Sequence, residues 1–416
     1  MLKISNIEYI GLKKFELIKE VGEHSFCSFR VFIDSGKFDE CISKLNSDIE
    51  IKYNDDIIFN GYIYELELEN IKNHLYLKIK AYSHSKKEDI IPYTRVFQDT
   101  KKTYKDILND LKLKPVKGII LDSSVENKVI KLPVIQFEET NYQFLKRIFS
   151  NENTEVINDD ISNNNQRIFF GKRENQSHDI KEYSNYSIKR NSENFMFMLT
   201  LPFNVLFSIG DFIKIEKKKY WIIKNKTLLR NGILYSEIEA TEFKKYKINK
   251  IKFKVLPELF KAKVIVNKDD KNLARIQVEF DKKQIEDINK AKNRYWFTVN
   301  TPYATKDVGF HFIPAVNDSV LINLANFNVV SAIRENSNGV FTNPQEQYIR
   351  NEFKKEFNLK EKELNLISHD KISLKMTEEF IELKNGNSLI KIEKNNIIIK
   401  VDGGDVNIKG SKVKIN

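Results

Sequence analysis

NSLIKIEKNNIIIKVDGGDVNIKGSKVKIN, residues 387–416, alternates apolar and polar side chains almost without interruption. Period-two alternation marks strands with one dry face and one wet face. A lone ribbon of short strands does not bury enough surface to hold itself together, so this stretch needs something to pack on. Further back along the chain, Ile372, Ile381, Ile390, Ile399 and Ile408 stand nine residues apart. Leu374, Leu383, Ile392 and Val401 keep the same step two positions on, until Gly410 breaks the column. Between the columns, Asn385-Gly386, Asn395-Asn396 and Gly403-Gly404 supply turn residues in the same register.

Nine is odd, and in a straight strand a side chain nine residues on points to the opposite face. To keep one face, each repeat must contain a corner that absorbs the odd residue. Strand, corner, strand, corner is a winding chain, a β-helix or solenoid. Antiparallel hairpins turning near residues 386, 395 and 404 are the alternative. Each turn offers only an Ile/Leu pair to the inside, too little for one chain to wrap a core. Three chains winding together bury the columns along a shared axis and leave no free strand edge. The pattern therefore predicts an intertwined triple-stranded β-helix in a homotrimer, with a single-chain solenoid as its competitor.

The rest of the chain reads as mainly β. "FELIKEV" and "SFCSFRVFI" flank Gly22 as a hairpin, and "IEIKYN", "IIFNGYIYELELE" and "HLYLKIKAYS" follow with period two. Two short helices come next. Thr103 caps "TYKDILNDL" with Asp106 three residues on, and Thr140 caps "TNYQFLKRIFSNE". Strands resume at "RIFF", "NFMFMLTL", "FIKIEKKKYWIIKNK" and "ILYSEIEATEF", with Asn231-Gly232 as a hairpin signal. From about residue 250, "KAKVIVN", "ARIQVEF", "RYWFTVNTPYA", "GFHFIPAV", "SVLINLAN" and "VVSAIREN" read as six closely spaced strands. With no amphipathic helix between them, they predict a small closed barrel. The domain reading is two β-barrel subdomains with inserted short helices over 1–245, the small barrel over 246–342, a linker over 343–364 and the triple-stranded β-helix over 365–416.

With 41% hydrophobic and 12% aromatic residues and no long apolar run, the chain is expected to be a folded soluble protein without a membrane span. Its start lacks the pattern of a secretory signal peptide, which predicts assembly in the cytoplasm. The net charge of +11 is spread through mixed-sign stretches such as "EFKKEFNLKEKEL", which reads as a solvated surface rather than a nucleic-acid groove. Cys27 and Cys41 read as buried small residues, not as a disulfide or metal site. The six histidines are scattered, and no spacing suits a metal. No G-x-S-x-G occurs, and Glu138-Glu139 and Asp159-Asp160 read as solvated turns or helix starts. His311 reads as a barrel-strand side chain. No catalytic, cofactor or metal residues are assigned.

"LARIQVEF … RYWFTVNTPYA … VGFHFIPAVNDSVLINLANFNVVSAI" resembles the oligonucleotide/oligosaccharide-binding (OB) barrel of the VgrG-like spike proteins. These are needle hubs of contractile phage tails, R-type bacteriocins and type VI secretion systems. Arg275, Val278 and Phe280 match the first part of the family's pattern, and Trp296 and Val299 the second. Gly309, Phe310, Ile313, Pro314 and Asp318 match the third, followed by Val320, Leu321, Val330 and Ile333. Ala274, Asn317 and Ala332 stand where the family usually has glycine. The resemblance implies a non-enzymatic, trimeric baseplate hub and central spike that joins the tail tube to a piercing needle, within a phage-tail-like particle or secretion apparatus. It also implies tail-tube and baseplate partners, the target-cell envelope, and export on contraction or lysis. Some needle tips of this family hold iron between closely spaced histidines. The last fifty residues here contain only His369, so a separate PAAR-like tip protein is expected. The other readings are a barrel that binds polysaccharide or single-stranded nucleic acid, and the hub of a cell-wall hydrolase complex. The gap from 341 to 371 is too short for an inserted hydrolase domain.

Overall fold

The computed structural model describes residues 2–111, 113, 118–161, 167–171, 175–190, 195–202, 206–215, 217–252, 259–288, 293–305, 308–335, 345–369 and 371–414. They fall into two units, 1–333 and 334–416.

In the first unit the alternating segments form the expected strands, but in one continuous sheet rather than two closed barrels. Its spatial order is Leu2–Ile4, Asp48–Tyr53, Asp56–Ile71, His74–Tyr82, Phe26–Ile33, Gly11–Glu20, Lys218–Arg230, Ile233–Thr241, Phe195–Pro202 and Asn185–Arg190. Phe212–Ile215 branches from Lys218–Arg230 and carries Ser177–Asp179 on its far side. The seam between the halves is the antiparallel pairing of Glu16–Glu20 with Lys224–Leu228. Each half curls around its own core. One is built on Phe15, Cys27, Phe29, Phe59 and Ile79, the other on Phe197, Phe207, Ile213 and Trp221. Cys27 and Cys41 are buried free thiols. Asn231 and Gly232, at φ +50° and +79°, turn the hairpin that follows the seam strand, as a type I′ turn requires.

A third core lies in the segment inserted between the halves, around Phe97, Ile107, Phe144, Phe149 and Phe170. Its helices, Tyr104–Leu111 and Asn141–Asn151, start as their caps dictate. The Thr140 hydroxyl accepts from the Gln143 amide while the Gln143 side chain accepts from the Thr140 amide. Thr103 and Asp106 make the same reciprocal pair, with Asp in the role usually given to Glu.

The two acidic pairs expected at solvated turns or helix starts each send one member inside. Glu139 is buried in a two-pronged pair with Arg147, with Nε–Oε1 2.6 Å and Nη2–Oε2 2.8 Å. Asp160 is buried against Lys19, with Nζ–Oδ1 2.9 Å. Arg147 is eight residues from Glu139, whereas Lys19 lies on a strand of the first half, 141 residues from Asp160.

The collar is a closed five-stranded barrel of Phe260–Val266, Arg275–Phe280, Phe297–Val299, Ser319–Asn323 and Asn328–Ile333. "GFHFIPAV", expected as a sixth barrel strand, forms a loop over most of its length, and His311 is exposed there rather than held in a strand. Glu286–Asp287 leaves the barrel to pair with the hub strand Pro92–Phe97. Beside it, Asp287 accepts hydrogen bonds from Gln98 (2.7 Å) and Arg294 (3.1 Å). Val96 and Ile135 of the hub join the barrel core, so hub and collar pack as one body.

The second unit is a seven-stranded antiparallel meander: Gln347–Arg350, Lys355–Lys360, Glu363–Ser368, Ile372–Thr377, Phe380–Asn385, Ser388–Glu393 and Asn396–Lys400. Three of these strands occupy much of 343–364, the segment expected as a linker. Their inward residues Ile349, Phe357 and Leu366 are eight and nine apart, so they do not continue the isoleucine column of the tail.

Candidate functional site

Side chains directly opposite each other in a sheet share a face. In the meander, Ile349, Phe357, Leu366, Leu374, Leu383, Ile390 and Ile399 are successive cross-strand partners. Beside this row runs a second, Leu359, Leu364, Met376, Ile381, Ile392 and Ile397. Ile372 and Val401 extend the same face. Every isoleucine and leucine of the two predicted columns that lies on a strand therefore shares one side of the sheet. Ile408 lies beyond the last strand, where residues 401–414 form none.

The corner that absorbs the odd residue is a hairpin, which corrects the winding expected from the repeat. Asn385 pairs with Ser388 and Glu393 with Asn396, leaving two-residue loops. A two-residue loop reverses the parity of the inward positions, so a nine-residue step keeps its face without any winding. Gly386, at φ +59°, occupies the first loop position, where a side chain would be strained. Each strand's neighbours in the meander thus belong to its own chain.

The opposite face is polar, and its charges fix the register. Lys375 pairs with Glu363 at 2.5 Å and holds that carboxyl at about 2. Lys391 bonds Glu393 at 2.6 Å and lies over the Phe380 ring. The apolar face has no such cover. Leu366, Leu383, Ile390 and Ile399 are each 41–50% exposed within a single chain. Two unbroken rows of half-exposed Leu and Ile side chains make a contiguous apolar patch of the kind that marks an interaction site.

On the collar, the motif residues divide by role. Val278, Phe280 and the neighbouring Phe297 are buried in the barrel core, and Val299 and Ile313 pack partly against it. Arg275 grips Asp269 through Nε–Oδ2 (2.7 Å) and Nη2–Oδ1 (2.9 Å), holding that carboxyl at about 2. Its guanidinium also lies 5.8 Å from the Trp296 ring centre. Gly309 admits no side chain, since a Cβ would fall 2.3 Å from the Tyr303 carbonyl oxygen. Pro314 and Asp318 close the loop: the Pro314 carbonyl accepts from Asn267, and Asp318 Oδ2 from the Ala315 amide. Phe310 faces solvent. Ala274 and Asn317, where glycine was to be expected, both have left-handed backbone, at φ +52° and +75°. Asn tolerates that region, whereas Ala costs about 1–2 kcal/mol there relative to glycine.

His24 has neighbours that no sequence motif announced. Its Nδ1 lies 2.9 Å from Ser85 Oγ and its Nε2 3.3 Å from Asp89 Oδ2. This order resembles a hydrolase triad, but Ser85 is buried and hydrogen-bonded to Ser83. The other Asp89 oxygen accepts from the Thr140 hydroxyl at the helix cap, and Tyr142 lies against the His24 ring. The group works as a brace between the hub sheet and the inserted helix. Burial pushes His24 below its ordinary value. Asp89 is held low because hydrogen bonds from His24, Thr140 and Lys86 outweigh its own burial. Among the described residues, no three His, Cys, Asp or Glu side chains gather as a metal would need.

Residues 260–333 match the type VI secretion system/phage-baseplate injector OB domain family. Over most of its length the chain is similar in fold to the E. coli c3393 protein, a component of the type VI secretion system with structural similarity to the T4 bacteriophage tail proteins gp27 and gp5. That likeness has a TM-score of 0.59 at 12% identity and covers 80% of this chain and 100% of the other. The lidless PdpA–VgrG complex gives a TM-score of 0.61 at 9% identity, over 94% of this chain and 93% of that one. The half-lidded Francisella PdpA–VgrG complex gives 0.57 at 10% identity, over 94% and 83%. No curated protein matches the chain in sequence. At these identities the likeness is one of fold, and the family match itself covers the OB barrel.

Proposed function

We propose that this chain is the baseplate hub and central spike of a contractile injection machine, acting as three copies around one axis. The observation that carries this reading is the uncovered apolar face of the tail meander, placed directly after an injector OB barrel. Three such sheets, one per copy, close into a three-sided prism with Ile372, Leu374, Ile381, Leu383, Ile390, Ile392, Ile399 and Val401 inside and the charged faces outside. Seven strands at about 4.8 Å spacing make a needle section roughly 30 Å long. Its backbone groups are paired within each sheet, so axial load meets hydrogen bonds that strain together. Two hub halves per copy give six around the axis, which would match a three-fold spike to a six-fold tail tube.

The work of the protein is mechanical, with no catalysis assigned to it. Its partners are tail-tube and baseplate proteins at the hub end and a separate PAAR-like tip protein at the needle end. It is assembled in the cytoplasm and leaves with the particle or through the machine. Light scattering on the purified chain tests the three-copy state. The expected mass is about 147 kDa, three times the 49.0 kDa chain. A chain that stays at 49.0 kDa at micromolar concentration overturns it.

A further inference from the structure

We propose that residues 243–252, FKKYKINKIK, form a docking strip for an extended acidic segment of a partner protein. These ten residues hold five lysines and no acidic residue, unlike mixed-sign stretches such as EFKKEFNLKEKEL. Lys244, Lys247, Lys250 and Lys252 are exposed. Among the described residues, none of the four makes an ion pair. Glu155 and Glu20, whose charges reach Tyr246, are occupied: the first accepts from the Tyr246 hydroxyl, and the second pairs with Lys224 at 2.8 Å.

The strip is held from beneath. Phe243 packs edge-on against Trp221 and Phe212, with ring centres 5.4 and 5.6 Å away. The Tyr246 ring lies 5.1 Å from that of the buried Trp221, and its hydroxyl donates to Glu155 Oε1 at 3.0 Å. Further on, the Ile251 amide donates to Ser150 Oγ at 3.0 Å, near the end of the helix Asn141–Asn151. After the single turn Phe243–Lys245 the strip contains neither helix nor strand. Side chains directed at the core therefore fix the backbone, while the ammonium groups stay in water. They recur every two or three residues along at most about 30 Å of chain. A partner with Asp or Glu at similar spacing meets them in register, and the strip itself needs little further ordering on binding.

The chemistry favours an acidic protein segment over other polyanions. Single-stranded nucleic acid is held where exposed rings stack on its bases, but Phe243 and Tyr246 pack against the hub core. A membrane surface is met by an amphipathic helix that turns an apolar face outward, and only one turn of this strip is helical. Contacts between exposed charges are screened by salt, so the binding should be strongly ionic-strength dependent.

The test is fluorescence anisotropy of a labelled peptide of alternating Glu and Ser, titrated with the purified full chain. The parent is expected to bind it in about 50 mM salt and at least tenfold more weakly in about 500 mM. Lys247→Glu with Lys250→Glu should weaken binding at least tenfold in low salt. Lys13→Glu with Lys14→Glu, an equal change of charge on exposed residues of the strand Gly11–Glu20, should leave it within twofold of the parent. Absence of peptide binding overturns the proposal, and so does an equal loss in both variants, which would assign the effect to net charge. Tighter binding of a labelled oligothymidine of the same length, or of vesicles containing phosphatidylserine, would overturn it in favour of nucleic acid or membrane.

Discussion

Ile390→Glu combined with Ile399→Glu is expected to turn the proposed trimer into single chains. The two residues are cross-strand partners on the apolar face. In a closed prism, each pair of substitutions places six carboxylates in a dry interior. Burying even one unpaired charge costs several kcal/mol after relaxation. Association should therefore weaken on the order of 10⁴-fold or more, at 1.4 kcal/mol per factor of ten. Light scattering should report the 49.0 kDa chain. The first unit, which shares no core with these residues, should keep its thermal transition. Lys400→Glu, on the opposite face of the same sheet, should leave the mass at three chains. A double variant that remains trimeric would remove the apolar face from the assembly.

The second large effect is expected inside the hub. Lys19 and Asp160 side chains are each 4% exposed, and among the described residues Asp160 Oδ2 has no hydrogen-bond partner. Lys19 is thus the main compensation for a buried carboxylate. Lys19→Met should cost about 3–5 kcal/mol and lower the hub's thermal transition by on the order of 10 °C. Lys19→Met with Asp160→Leu removes both charges and should recover most of that loss. Scanning calorimetry of the single and double variants would show both changes. A single variant as stable as the double would mean that Asp160 does not depend on Lys19.

Local chemistry was legible in the sequence. Thr140 and Gln143 announce a helix start because both partners of the capping box lie within one turn. Asn231-Gly232 announces its hairpin because few other residue pairs accept two left-handed positions. The collar was legible through the spacing of its strands and the family pattern, although a fixed loop around Gly309 and Phe310 passed for a strand. That loop alternates side chains as a strand does, and only its hydrogen bonds tell the two apart.

What the sequence hid depends on distance along the chain. The seam between the hub halves joins residues about two hundred positions apart, and alternation within a strand says nothing about its neighbour. Asp160 reads as solvated because Lys19, 141 residues away, is brought to it only by the fold. The brace around His24 draws on three separate segments. In the tail, the nine-residue step correctly implied one shared face. It did not distinguish a winding corner from a two-residue hairpin, because both reverse parity.

The most direct test is a density map of the purified assembly at a resolution that shows side chains in the tail. The account predicts three antiparallel sheets, one from each copy, with Leu383, Ile390 and Ile399 directed at a common three-fold axis and Lys375 and Lys391 outside. A map in which each tail stands alone with those side chains in solvent, or is covered by a different protein, would contradict it.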